Sequence, residues 1–261
     1  MLDSLLSSAF LWTALAAVLA GLIRGFSGFG AAMVFLPVAS ALYEPRQAVI
    51  LLYIADGIAS LPMMLPALRR CEWREVIPVA LGATLTIPLG VALLASTDPL
   101  LLRWLISGLI LLSVLALASG WRYQRRPPPL ACVGVGGMAG FCSGLAGLGG
   151  PPVILFWLTG QALAATVRAN IIAFFAYTTL INGLSYAWHG LFNSTAILLG
   201  LCLIPCYAMA LQFGVRRFSK TSEQFYRRLA FTLIGLIAIS SLPVFGTFWQ
   251  QVLHGLGLAS S

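Results

Sequence analysis

Two charged residues stand inside apolar sequence in this chain, and they are the first candidates for chemistry. Arg24 lies within the apolar stretch 5–25, and Asp56 lies midway along the stretch 47–67. A charge at the centre of a membrane-spanning helix costs about 2.5–3.5 kcal/mol or more, so each must be used or compensated. Arg24 can hold an anion through its planar, bidentate donors, snorkel to a headgroup, or pair with Asp56. Asp56 can bind a proton or ion coupled to transport, or serve as the counter-charge of Arg24. The residues alone leave both alternatives open for each.

Beside Arg24 runs the first of two matching glycine clusters. Residues 21–30 read Gly-Leu-Ile-Arg-Gly-Phe-Ser-Gly-Phe-Gly, and residues 140–149 read Gly-Phe-Cys-Ser-Gly-Leu-Ala-Gly-Leu-Gly. Four glycines share one register (Gly21/Gly140, Gly25/Gly144, Gly28/Gly147, Gly30/Gly149), which marks an internal repeat. The Gly-x3-Gly spacings also fit close helix packing with no further purpose. The tails point to a true break instead. Glycine costs about 1 kcal/mol in a helix and proline about 3, and Gly147 to Pro152 carries Gly-Leu-Gly-Gly-Pro-Pro. Pro151 and Pro152 suit the first turn of a new helix. Such a turn aims free N–H groups back at the break, where an anion can sit. Ser27 and Ser143 flank the breaks and can donate hydroxyls to an oxyanion. The candidate binding set is therefore Arg24, Ser27, Gly28, Gly30, Ser143, Gly147, Gly149 and Asn170, with Asp56 for ion coupling or charge pairing.

The remaining polar residues read more simply. Arg168 looks like an orientation charge, and Asn170 beside it can face a site or bond a neighbouring helix. Thr178 and Asn182 read as ties between helices, and Cys202 and Cys206 as small packing residues. Two histidines, His189 and His254, and five cysteines without finger-like spacing give no metal site and no disulfide framework. No His cluster, paired acidic motif or nucleophile–base spacing points to an enzyme. No G-x-x-x-x-G-K-[ST] run is present, so ATP-driven pumping by this chain alone is excluded. No cofactor is expected.

These residues must be positioned by membrane helices. Of 261 residues 60% are hydrophobic and 8% charged, with a mean hydropathy of +0.96. A soluble domain carries about 25% charged residues. Ten apolar stretches can be drawn, at 5–25, 29–42, 47–67, 76–96, 100–120, 130–146, 150–160, 169–188, 193–214 and 228–246. The first reads as a membrane segment, not a removable signal, because no positive residue precedes Arg24. Trp73, Trp104, Trp121, Trp188 and Trp249 stand near segment ends, as interface aromatics do. The net charge of +8 sits between apolar segments, where it orients a membrane protein and implies no nucleic acid.

Basic loops at 69–74, 121–127 and 215–228 alternate with connections poor in Lys and Arg, which places those loops in the cytoplasm and both termini outside. Arg168 fits this assignment and Arg46 does not. Segments 47–67 and 169–188, equivalent by the repeat, must then cross in opposite directions. At 1.5 Å per residue, 29–42 gives about 21 Å of helix and 150–160 about 17 Å, too short for a ~30 Å core. The expected fold is an all-α polytopic membrane protein of two inverted repeats. Each repeat is a short broken-helix or re-entrant hairpin plus three transmembrane helices. Residues 1–121 form the first repeat, 122–129 a basic, Pro-rich linker, and 130–261 the second, within one membrane domain. Broken helices in inverted repeats are the sequence mark of a substrate site in a secondary transporter.

Arg24-Gly25-Phe26-Ser27-Gly28-Phe29-Gly30 followed by Leu36-Pro37, with Gly144-Leu145-Ala146-Gly147-Leu148-Gly149-Gly150-Pro151, resembles the TauE/SafE sulfite-exporter family over nearly the whole chain. The chain departs from the family's frequent glycine triplet at the first break, where it has Gly30-Ala31-Ala32. The resemblance implies a multi-pass protein of the cell membrane that transports, most simply exports, sulfite, a sulfonate or another small anion. A channel or a structural membrane subunit is the alternative. The expected partners are that anionic solute and the lipid bilayer, with no nucleic acid; a homo-oligomer is left open.

Overall fold

A computed structural model describes residues 7–118, 129–157 and 164–218. Among them lie ten helices and no strand. In chain order they are α1 (Ser8–Ser27), α2 (Ala31–Leu42), α3 (Pro45–Ala59), α4 (Leu61–Arg70), α5 (Trp73–Ser96), α6 (Pro99–Ala118), α7 (Pro129–Ala146), α8 (Gly150–Trp157), α9 (Ala164–Trp188) and α10 (Ser194–Phe218). Five of these, α1, α5, α6, α9 and α10, are long and apolar enough to cross a bilayer, and the bent pair α3–α4 makes a sixth candidate. Leu85, Leu89, Leu112, Leu180 and Leu184 point outward and are exposed. Apolar side chains in such a coat belong against lipid. The chain is a multi-pass helical membrane protein. The expected stretch 228–246, most of the linker 122–129, Trp121, Trp249 and His254 lie outside the described residues.

Both glycine clusters do break the helix. α1 stops at Ser27, Gly28 takes a left-handed φ of 81°, and its N–H returns to Arg24 O at 2.8 Å. Gly30, at φ 89°, opens α2 with no side-chain cap. In the second cluster α7 stops at Ala146 and Gly147 takes φ 65°. These three positions need a residue without Cβ, since left-handed backbone costs other residues about 1–2 kcal/mol. Pro151 and Pro152 fall in the first turn of α8, where the missing N–H groups are tolerated.

The close-packing use of glycine holds too, one turn earlier. α1 packs most extensively on α10, and α7 on α5, so the opening helix of each half lies against the other half. A Cβ on Gly25 would collide with the carbonyl of Leu211, and one on Gly144 with the carbonyl of Ile87. The same cluster therefore lets helices touch at its N-terminal glycines and breaks them at its C-terminal ones.

One expected span is corrected. Stretch 47–67 is not a single helix: α3 and α4 meet at Ser60 with a 64° bend. Pro62 follows directly, lacks an N–H and clashes with a continuing helical backbone. Asp56 thus stands in the last turn of α3 beside a break, not mid-helix. Arg46, which does not fit the charge rule, has a structural use. Its Nε donates to Leu94 O at 3.0 Å and its Nη1 to Glu44 Oε1 at 3.0 Å, and Nη2 also donates to Thr97 O. A cation at the C-terminus of α5 is stabilised by the carbonyls it caps.

Replacing Gly25 or Gly144 by Val should cost about 1–3 kcal/mol or more, because backbone atoms cannot retreat from the new side chain. Gly108→Ala, at an exposed helical position where a Cβ would meet nothing within 4 Å, should be neutral or stabilising. Thermal unfolding of the three purified variants in detergent checks this. Equal melting points would contradict the close approach.

Candidate functional site

The two breaks face one shared cavity of about 70 Å³. A water needs roughly 10–15 Å³ by this measure, so the space suits a solute of a few heavy atoms. Its wall takes Gly30, Ala31, Ala32 and Met33 from the first break and Ser143, Gly147, Leu148, Gly150 and Pro151 from the second. A Cβ on Gly147 would lie 3.8 Å from Ala32 Cβ, and one on Gly150 3.4 Å from Phe29 Cβ, so the breaks touch. α3 and α9 close the sides with Tyr53, Asp56, Phe175, Thr178 and Asn182.

Arg24, in the last turn of α1, is 5% exposed and lines this cavity. Its Nε lies 3.2 Å from Asp56 Oδ1, and its Nη1 donates to Gly28 O at 2.8 Å. Its Cζ stands 4.4 Å from the centre of the Phe175 ring. A cation over an aromatic face gains more as it is desolvated. Nη2 makes no hydrogen bond among the described residues. Asp56 Oδ1 also accepts from Ser60 Oγ at 2.8 Å and from Tyr207 Oη at 2.7 Å. The carboxylate is thereby fixed from α3, the following bend and α10 at once.

Across the cavity, Asn182 Nδ2 donates to Ser143 Oγ at 2.9 Å, and Asn182 Oδ1 is buried with no partner among the described residues. Turning the amide exchanges the open acceptor for an open donor, so Asn182 offers one polar atom in either orientation. The uncapped start of α2 contributes the N–H groups of Ala31, Ala32 and Met33. A helix begins with four N–H groups lacking intrahelical partners, and they carry partial positive charge. At α8 the same end is poorer, because Pro151 and Pro152 supply no N–H. The arrangement offers one guanidinium, a helix N-terminus and an amide–hydroxyl pair to an anion.

Of the residues expected to bind, Arg24, Gly30, Ser143 and Gly147 line the cavity together with Asp56. Gly28 stands behind it, with its carbonyl held by Arg24. Ser27 ties the break itself, its Oγ 2.7 Å from Ile23 O and 3.3 Å from the Phe29 N–H. Gly149 presses against α7, where a Cβ would sit 2.9 Å from Ala139 O. Asn170 is fully buried elsewhere: it accepts from the Glu72 N–H at 2.8 Å and donates to Glu75 Oε2 at 3.0 Å, holding the start of α5. Arg168 donates to Gly25 O at 3.0 Å, at the end of α1.

Tyr53 and Phe175 on the cavity wall, and Tyr207 behind Asp56, are residues that sequence reading passes over. Asn182, read as a tie between helices, makes that tie to Ser143 and also lines the cavity. A signal existed for part of this set: Phe175, Thr178 and Asn182 recur at i, i+3 and i+7, one face of a helix. Among the described residues no three His, Cys, Asp or Glu side chains gather as metal ligands.

The family model described as Sulfite exporter TauE/SafE matches residues 13–241, and the chain belongs to that family. A protein of Cupriavidus necator named "Probable sulfite/organosulfonate exporter TauE" is 28% identical over 233 residues, covering 83% of this chain and 88% of that protein. No solved structure matches the chain.

The Arg24–Asp56 pair makes a double-mutant cycle informative. Removing one partner leaves an uncompensated buried charge, at a cost of about 3–5 kcal/mol. Arg24→Ala and Asp56→Ala should each lower the melting temperature in detergent, and the double variant should recover part of the loss. Strictly additive losses would show that the two groups do not pair.

Proposed function

We propose that this TauE/SafE-family chain is a secondary transporter of the cell membrane that exports a small sulfur-containing or organic anion, such as sulfite or a sulfonate. The anion sits between the two glycine breaks, held by Arg24, the N–H groups at the start of α2, and Ser143 with Asn182. The observation that carries this is a buried guanidinium with an open donor, beside a cavity whose walls come from both breaks. Sulfite or a sulfonate entering low dielectric needs compensating charge, and a guanidinium offers forked donors to its oxygens. The family membership and the name of the Cupriavidus necator relative support the class of solute.

The proposed architecture is two inverted repeats, residues 1–121 and 130–261, joined by the linker 122–129. The exchange of packing partners supports it, since α1 lies on α10 while α7 lies on α5. Alternating access then consists of one half rocking against the other around the breaks. The orientation follows from the exposed Arg69, Arg70 and Arg74, which face the cytoplasm on this reading.

Two outcomes follow. In proteoliposomes, Arg24→Gln should raise the apparent KM for sulfite roughly 10–100-fold, the worth of a hydrogen bond to a charged group. Arg24→Lys should recover only part, because a point charge loses the fork. Unchanged kinetics in a folded Arg24→Gln protein would remove Arg24 from the site. For sidedness, Cys71 in a variant lacking the other four cysteines should react with an impermeant maleimide only from the cytoplasmic face. Burial raises the Cys71 thiol pKa, so less reactive thiolate is present near neutrality and labelling should accelerate as pH rises. Labelling of intact cells from outside would reverse the orientation.

A further inference from the structure

Arg24 cannot give its Nε–Nη2 edge to an entering anion without loosening its hold on Asp56. Nε is occupied by Asp56 Oδ1 at 3.2 Å and Nη1 donates to Gly28 O at 2.8 Å, so an oxyanion that bridges Nε and the open Nη2 must displace the carboxylate. Asp56 is built to withstand that displacement. Ser60 Oγ at 2.8 Å and Tyr207 Oη at 2.7 Å stay on the same carboxylate oxygen when the guanidinium leaves. Both anchors belong to elements other than α1, since Ser60 marks the α3–α4 bend and Tyr207 belongs to α10.

We propose that Asp56 is an internal counter-ion that stands in for the solute while the transporter is empty. It is a positioning residue, acting on the anion through Arg24, and the proposal rests on the transport function given above. In the empty protein Arg24 and Asp56 cancel, so the site reorients across the membrane without a bare buried charge. When an anion arrives, it takes the place of the carboxylate on the guanidinium, and Asp56 keeps its two hydroxyl donors. With a monoanion such as bisulfite or a sulfonate, the loaded site carries one net negative charge, which an inside-negative potential drives outward. With asparagine at position 56 the balance reverses: the loaded site is neutral, whereas the empty site holds a lone desolvated cation. A lone charge in a protein interior is costly, so the empty protein should be trapped. The transporter becomes an exchanger.

The test uses the full chain in proteoliposomes loaded with radiolabelled sulfite. Net efflux into sulfite-free buffer is compared with exchange against external unlabelled sulfite. In Asp56→Asn the ratio of exchange to net efflux should rise at least about tenfold over the unsubstituted protein. Asp56→Glu, which keeps the charge, should restore most of the ratio. Tyr207→Phe, which removes one anchor, should fall between. Proportionate loss of both fluxes in an inserted, monodisperse Asp56→Asn protein would overturn the proposal. If that variant does not fold, Tyr207→Phe decides: a raised ratio supports the counter-ion and an unchanged ratio overturns it. Absence of flux in the unsubstituted protein, with sulfite and with methanesulfonate alike, would overturn the transport function and the counter-ion with it. Failure of the counter-ion alone leaves unsubstituted flux intact.

Discussion

The guanidinium of Arg24, 5% exposed, has to be neutralised where it stands, because an unpaired charge there would cost several kcal/mol. Asp56 supplies the opposite charge, Gly28 a carbonyl and Phe175 an aromatic face. Each of these comes from a different structural device: the α3–α4 bend, the first glycine break and the long helix α9. To bring them to one point, α1 stops at Ser27 and the chain turns between α3 and α4, while α9 runs on unbroken. Irregular backbone within a membrane domain is tolerated only where protein buries it or a cavity uses it. Arg24 thus joins the first break and the α3–α4 bend at the wall of the cavity.

Glycine makes this arrangement possible in two ways that operate a turn apart. Gly25 lets α1 touch the backbone of α10, and Gly144 lets α7 touch α5. Gly28, Gly30 and Gly147 then adopt left-handed backbone and end or begin helices. Close contact fixes where each helix ends, and the break turns the next helix towards the cavity. Without the contact, a glycine-rich end would fray instead of aiming its N–H groups at one place.

The glycine clusters carried most of what could be read from the sequence. Their register gave the breaks, the short α2 and α8, and the placement of Arg24, Gly30, Ser143 and Gly147 beside one cavity. The bend at Ser60 was hidden because an apolar run reports length and not straightness, although Pro62 marks it. Asn170 misled because a buried asparagine looks the same whether it meets a solute or Glu72 and Glu75. Tyr207 was invisible for another reason: its partner Asp56 is 151 positions away in the chain. Only the packing of α10 on α1 and α3 brings that hydroxyl to the carboxylate.

The central claim is that an oxyanion occupies the space between the breaks in contact with Arg24. Selenite is a heavier analogue of sulfite with the same pyramidal oxygens, so a structure of the protein soaked with it would show the anion directly by anomalous scattering from selenium. A selenium peak within hydrogen-bond reach of the Arg24 guanidinium, between Gly30 and Gly147 and with Nε released from Asp56, is the expected result. A peak elsewhere, or an empty cavity with the Arg24–Asp56 pair intact at saturating selenite, would contradict the account.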